Sequence, residues 1–183
     1  VATSASIELF DRVLVDAECS TDGAVKHMLH RMHSHVVDSK KLEPKESITS
    51  NKALTDSQQL ADLVQLQRQL ILSGFRLLKP GGVMVYSTCS LSEAQNEDVV
   101  SWLLKENPTK ARLVSVNFPG PSKLEGQMNK KGISLVSQGS LPGTVRFYPN
   151  LSSCDTLSKE DSGDSFYGGG LFLAKIKNTK LLD

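Results

Sequence analysis

The sequence predicts an α/β fold, and three observations carry that expectation. Two short apolar runs, Val13-Leu14-Val15 and Val83-Met84-Val85, have the continuous hydrophobicity of strands buried on both faces of a parallel sheet. A long amphipathic stretch over residues 61–79 lies between them. The resulting order of strand, helix, strand, helix, strand is that of an α/β sheet, where ligands bind beyond the carboxyl ends of the strands.

Phe10 to Ala17 reads as the first strand, and the polar segment Glu18 to Gly23 as the loop beyond it. Residues 24–37 suit a helix, and residues 38–60, rich in Lys, Glu, Ser and Thr and containing Pro44, read as a loop-rich insertion. In the helix at 61–79, Leu63, Leu66, Leu70 and Leu77 recur on one face, with Val64, Ile71, Phe75 and Leu78 beside them. Lys79-Pro80-Gly81-Gly82 is expected to stop that helix, because proline cannot continue the ladder and two glycines permit a tight turn. Val83 to Ser87 then forms the second strand. Ser92-Glu93-Ala94-Gln95 has the pattern of a capping box, in which the Ser92 hydroxyl accepts from the Gln95 amide and Gln95 reaches back. Val99, Val100, Leu103 and Leu104 give the next helix its buried face, and Asn107-Pro108 ends it. Ala111 to Asn117 is expected to be a third strand. Residues 119–165 read as a second loop-rich insertion with one short strand, Thr144 to Tyr148, and Gly169 to Lys177 as a final, antiparallel strand.

Composition narrows the function classes. The chain of 183 residues can bury one domain's core, and 21 basic against 20 acidic residues leave a formal net charge of +1. That balance argues against a basic nucleic-acid grip spread over the whole chain. Aromatics at 5% argue against a base-stacking platform. No apolar run reaches membrane-spanning length, and no signal peptide is visible. Three cysteines, an odd number in no metal-like cluster, fit reduced thiols in an intracellular setting, whether cytosol, nucleus or organelle. The four histidines fall at 27, 30, 33 and 35 without the fuller ligand set that zinc requires, so no metal is expected.

The chemistry concentrates at two strand ends. Asp16 and Cys19 follow the first strand, and Cys89 follows the second, within Ser87-Thr88-Cys89-Ser90. In a parallel sheet both ends point the same way, so two thiols and a carboxylate can converge on one rim. A cysteine in a strand is by default a small core hydrophobe. Cys89 departs from that default because polar residues surround it and a helix starts close by, whose amino terminus would lower the thiol's pKa. Cys154 sits in a Ser/Asp-rich loop and receives no role.

"FDRVLVDAECS", followed after a long helix by "LLKPGGVMVYSTCSLSEAQNEDVV", resembles the Sun-domain (Fmu/Nop-like) RNA cytosine-5 methyltransferases. The family's usual patterns are a strand ending Asp-Ala-Pro-Cys-Ser and another ending Ser-Thr-Cys-Ser, with Asn-Glu on the next helix. "RFYPN" (Arg146 to Asn150) and "GGGLFLAKIK" also look like the family's later motifs. Glu18 stands where proline is usual, removing a backbone constraint and adding a negative charge expected to raise the neighbouring thiol's pKa. Asn150 stands where histidine is frequent.

The resemblance implies a Rossmann-like class I methyltransferase sheet, mainly parallel with one antiparallel strand near the end. It implies S-adenosylmethionine as cofactor and RNA as substrate, with transfer, ribosomal and messenger RNA all open. Cytosine carbon 5 is a poor nucleophile, and a thiolate added to carbon 6 makes it enamine-like and able to take a methyl group. By the resemblance, Cys89 is that nucleophile, and Cys19 assists removal of the carbon 5 proton and release. Asp16 contacts the base edge and belongs to both the catalytic and the cofactor-binding sets. The family's glycine-rich cofactor loop should precede Phe10, and nothing like it lies in residues 1–9; Gly168-Gly169-Gly170 precedes a strand and is no substitute. The chain, which begins at Val1, is therefore expected to be the carboxyl-terminal half of a methyltransferase domain, binding S-adenosylmethionine weakly or not at all by itself. Its open sheet edge is expected to be covered by a partner chain or by the remainder of the protein. The rival readings are a catalytically inactive methyltransferase-like module that binds RNA or protein, and a thiol-transfer protein, which the absence of Cys-x-x-Cys disfavours.

Overall fold

The computed structural model describes residues 8–24, 57–116, 136–149 and 169–180. The helix expected at 24–37, most of the 38–60 insertion, the four histidines, Asn150 and Cys154 lie outside the described residues.

The described residues build a six-stranded sheet flanked by two α-helices. Its strands are β1 (Phe10–Asp16), β2 (Leu78–Thr88), β3 (Ala111–Val114), β4 (Val136–Gln138), β5 (Val145–Phe147) and β6 (Leu171–Asn178). The helices are α1 (Ser57–Arg76) and α2 (Glu97–Glu106), the latter preceded by a 3-10 turn at Glu93–Gln95. The α/β class and the alternation are as the sequence predicts. β1 and β2 are parallel, with Val13 opposite Met84 and Asp16 opposite Ser87. β6 runs antiparallel to β2 on one side, and on its other side antiparallel to both β3 and β5. β4 in turn is antiparallel to β5. Strands β1, β2, β3 and β5 thus share one direction, and two strands, β6 and β4, oppose it, where the sequence reading has one. The extra one belongs to a β4–β5 hairpin inside the 119–165 segment read as loop-rich; a three-residue strand is too short to carry a visible alternation.

Several boundaries move for physical reasons. α1 starts at Ser57, inside the segment read as an insertion, and stops at Arg76 rather than at the proline. β1 recruits the residues just past Arg76: the Phe10 amide donates to the Leu77 carbonyl at 2.8 Å, and Leu78 pairs with Phe10. Lys79-Pro80-Gly81-Gly82 therefore lies within β2 as an irregularity, since the register passes from Phe10–Leu78 to Arg12–Val83. Gly81 takes φ 79° there, a left-handed conformation that glycine adopts without steric cost. The capping box does not form. Ser92 makes no side-chain cap, and the Gln95 amide bonds the Ser92 backbone carbonyl instead.

The core lies between the helices and one sheet face. Met84 and Tyr86 of β2, Phe172, Ala174 and Ile176 of β6, Ile71 and Phe75 of α1, and Val99, Val100 and Leu103 of α2 are all buried. Each large apolar side chain so buried contributes about 1.5–3 kcal/mol. The buried stripe of α1 is Gln67, Ile71, Gly74 and Phe75, turned from the leucine face the sequence suggests; Leu66 and Leu70 are exposed. Gly74 decides the rotation. A Cβ there would stand 2.4 Å from Val15 Cγ2 and 3.0 Å from Met84 Sδ, so glycine lets helix and sheet approach closely here. Leu14 points to the other face and is 69% exposed, so β1 is not buried on both sides among the described residues, as the apolar run suggests. β1 also forms one edge of the described sheet.

Candidate functional site

Parallel pairing of β1 and β2 sends both chains off the same rim. The Ala17 amide donates to the Ser87 carbonyl at 2.9 Å, carrying the pairing one residue past Asp16. Beyond that point lie the loop Glu18–Ala24 and the turn Cys89–Ser92. The structure brings together Asp16, Cys19 and Cys89. Cys19 Sγ and Cys89 Sγ stand 3.0 Å apart as free thiols, each half-buried. The Ser87 hydroxyl donates to Asp16 Oδ1 at 2.7 Å, orienting the exposed carboxylate at the edge of the same rim.

The electrostatics differ from the expectation of a helix-activated thiolate. Cys89 is pushed up to about 12 by burial, then by the Cys19 thiol and the Asp16 charge. α2 begins only at Glu97, so the nearest electrostatic neighbours of Cys89 are a thiol and a carboxylate rather than a helix amino terminus. Glu18 is exposed, and its carbonyl accepts from Gln67 Nε2 at 2.7 Å. At neutral pH the Cys89 proton is held, and the pair shares an S–H···S contact.

A buried polar network, unmarked by the sequence reading, supports the rim from below. The Gln95 side chain, released from the absent capping box, accepts from the Ser20 amide at 3.0 Å and donates to the Ser20 hydroxyl at 2.8 Å. Gln67 Nε2 donates to Gln95 Oε1 at 3.2 Å, and the Tyr86 hydroxyl to the Gln95 carbonyl at 2.8 Å. Tyr86 is itself pushed above the ordinary phenol range by burial. The hydroxyls around Cys89 each have a partner: Ser87 bonds Asp16, Thr88 bonds Asn96, and the Ser90 hydroxyl accepts from the Ser92 amide at 3.0 Å. Asn96 Nδ2 closes the turn by donating to the Ser90 carbonyl at 2.9 Å.

Two acids tie this turn to its surroundings. Asp22 Oδ2 accepts from the Leu91 amide at 2.9 Å, and Asp22 Oδ1 accepts from the Ser20 hydroxyl. Burial opposes the Asp22 charge, yet hydrogen bonds from Ser20, Ser90 and Leu91 outweigh it and hold the carboxyl below its usual value. Glu97, with only 3% of its side chain exposed, forms a two-pronged pair with Arg146, whose Nε donates to Glu97 Oε1 at 2.7 Å and whose Nη2 meets Oε2. Arg146 Nη1 also donates to the Leu91 carbonyl at 2.8 Å. A polar Gln67 within an apolar helical stripe was the one signal of this network in the sequence; the remaining partners are far apart in the chain.

Gly169 and Gly170 lead into β6, not into a helix. A Cβ at Gly170 would stand 2.8 Å from Leu91 Cδ2 and 2.9 Å from Gly23 Cα, so glycine there lets two loops touch. Among the described residues no group of three or more His, Cys, Asp or Glu side chains could hold a metal ion, and no helix is long and apolar enough to cross a membrane.

Comparison with known proteins agrees with the motifs. Residues 2–158 match the family model described as 16S rRNA methyltransferase RsmB/F. The chain is 27% identical over 178 residues to ribosomal RNA small subunit methyltransferase F of Klebsiella pneumoniae, covering 96% of this chain and 27% of that protein. It is 39% identical over 110 residues to the protein of the same name from Pectobacterium atrosepticum, covering 60% of this chain and 19% of that one. Among solved structures, a methyltransferase homologue from Pyrococcus horikoshii superposes with a TM-score of 0.52 at 25% identity, covering 93% of this chain and 40% of that one. The chain thus spans about a quarter of the length of the curated relatives it matches.

Proposed function

The chain belongs to the 16S rRNA methyltransferase RsmB/F family, and on that premise we propose that it carries the thiol centre of an S-adenosylmethionine-dependent RNA cytosine-5 methyltransferase. The observation that carries this reading is the 3.0 Å approach of Cys19 and Cys89 at the carboxyl ends of two parallel strands, beside Asp16. A core cysteine needs no second thiol at a polar rim; a covalent catalyst that must also release its product does.

In this reading the Cys89 sulfur bonds to cytosine carbon 6. Because Cys89 rests as a thiol, its proton must leave as that bond forms, and ring nitrogen 3 is the basic atom that takes it. Asp16, held by Ser87, lies at the rim where that base edge would enter and stabilises the protonated ring. Carbon 5 then has enamine character; S-adenosylmethionine, when bound, supplies the methyl group. Cys19 assists removal of the carbon 5 proton, after which the sulfur–carbon 6 bond breaks and Cys89 is regenerated. The target must be single-stranded or flipped, since a stacked base cannot reach a strand-end rim. The donor cradle belongs, in this proposal, to sequence on the amino-terminal side of β1, whose outer edge with exposed Leu14 is where further strands would pair.

The test uses the intact polypeptide that carries this chain, with RNA and radiolabelled donor. Cys89→Ala is expected to abolish methyl transfer and adduct formation. Cys19→Ala is expected to trap RNA as an adduct that survives denaturing electrophoresis. If both variants match the unsubstituted protein in both assays, the chain is a methyltransferase-like binding module instead.

A further inference from the structure

The loop bearing Cys19 and the turn bearing Cys89 come from strands joined only by their parallel ladder, which ends at Ala17. Something beyond the ladder must hold the two sulfurs together. Backbone contact supplies part of it, since the Gly23 amide donates to the Cys89 carbonyl at 2.9 Å. Side chains supply the rest: Gln95 holds Ser20 from below, and Asp22 reaches both segments at the rim. Asp22 Oδ1 accepts a hydrogen bond from the hydroxyl of Ser20, the neighbour of Cys19. Asp22 Oδ2 takes the amide of Leu91, two residues beyond Cys89. Ser90, the residue between them, brings its hydroxyl within 3.3 Å of the Ser20 hydroxyl. Leu91 is gripped from its other side by Arg146, so Asp22 pulls against a fixed point rather than a mobile turn.

The backbone is bent to make this possible. Thr21, a β-branched residue, sits at φ 56° in the left-handed region, the one non-glycine residue with positive φ among those described. Such a residue persists only where surrounding contacts over-determine it. Here the bend folds Asp22 back across the rim toward Leu91.

We infer that Asp22 is a positioning residue for the thiol pair: its carboxylate clamps the Cys19 loop onto the Cys89 turn and so sets the sulfur-to-sulfur approach. Asp22 touches neither sulfur, and its effect runs through Ser20 and Leu91. The inference deepens the functional reading and rests on it for its consequence, which is that Cys19 acts in the same complex that Cys89 has bonded. Loosening the clamp would leave attack by Cys89 in place and slow the step that needs Cys19.

Two measurements test this. The first uses the chain in a Cys154→Ala background and needs no RNA. Diamide, an azo oxidant, takes two electrons and two protons from the thiol pair, leaving the Cys19–Cys89 disulfide and the corresponding hydrazine. The rate reports the effective concentration of one sulfur at the other. Asp22→Ala is expected to slow disulfide formation at least tenfold. Asp22→Asn, nearly isosteric and still able to accept from Leu91, is expected to slow it at least threefold, and it carries the test if the alanine variant does not fold. Rates within twofold of the unsubstituted chain for the folded variants overturn the inference.

The second uses the intact polypeptide with RNA. Asp22→Asn is expected to raise the fraction of RNA held as covalent adduct at least threefold, with KM for RNA changed less than twofold. A merely destabilised protein would form less adduct, not more. If Cys19→Ala traps adduct and Asp22→Asn leaves it unchanged, the clamp is refuted and the functional reading stands. If Cys19→Ala traps none, the functional reading has failed, and the diamide rates alone decide the clamp.

Discussion

Gly23→Ala attacks the site through its backbone. A Cβ at Gly23 would lie 2.5 Å from the Cys89 carbonyl oxygen and 3.0 Å from Gly170 Cα. Carbon and oxygen do not approach closer than about 3.3 Å without cost, so the loop must retreat by roughly 0.8 Å. Both obstacles are backbone, so no side chain can rotate away to make room. The retreat breaks the Gly23–Cys89 hydrogen bond of 2.9 Å and strains that from the Gly170 amide to Gly23, at 2.7 Å. Leaving one buried pair unmade costs about 1–3 kcal/mol, and weakening the second brings the expected loss to about 2–4 kcal/mol. In urea, with a slope of about 2 kcal/mol per molar, the unfolding midpoint should fall by roughly 1–2 M with the slope unchanged. A midpoint within about 0.2 M of the unsubstituted chain would show that the Cys19 loop does not depend on contact with the Cys89 turn, and the account of how the rim is held would be wrong.

Two further outcomes rest on the charges. Arg146→Ala leaves Glu97 buried and unpaired and should cost about 3–5 kcal/mol by calorimetry, whereas the double replacement Glu97→Leu/Arg146→Met should cost clearly less, because no lone charge remains. Burial and the Cys19 thiol push Cys89 up to about 12, so iodoacetamide should modify it slowly at pH 8, with a rate rising through pH 9–11, as read by peptide mass spectrometry. The sign is that of a raised folded-state pKa: the protonated form favours folding, the contribution is full below about 9 and is lost as pH rises toward about 12. A Cys89 rate already at its plateau at pH 8 would contradict the resting thiol.

The elements that place the rim were legible because they rest on local patterns. Val13 to Val15 and Val83 to Val85 announced strands, the leucine stripe through Leu63, Leu66 and Leu70 announced a helix though not its buried face, and parallel pairing carried Asp16, Cys19 and Cys89 to one end. What escaped was set by tertiary competition. Gln95 fits a capping box in sequence, but a buried Ser20 backbone amide 75 positions away is the partner it takes. Pro80 and two glycines read as a stop, yet β1 pairs on either side of them, with Leu78 and Val83, and so holds them inside β2 as an irregularity. The face of α1 turned on Gly74, whose missing side chain no hydropathy count rewards. Asp22, Glu97 and Arg146 act through bonds spanning up to 69 residues, beyond the reach of any window.

β6 imposes a timetable on the molecule's birth. Asn178 at its end bonds the Leu78 carbonyl 100 positions earlier. At a synthesis rate of about 5–20 residues per second, β2 therefore leaves the ribosome roughly 5–20 seconds before its antiparallel neighbour. Through that interval one flank of β2 offers bare amides and carbonyls to any passing strand, and Met84 and Tyr86 wait for the Ile176 and Ala174 that will stand opposite them. Only when Leu171–Asn178 emerges is that flank of β2 covered.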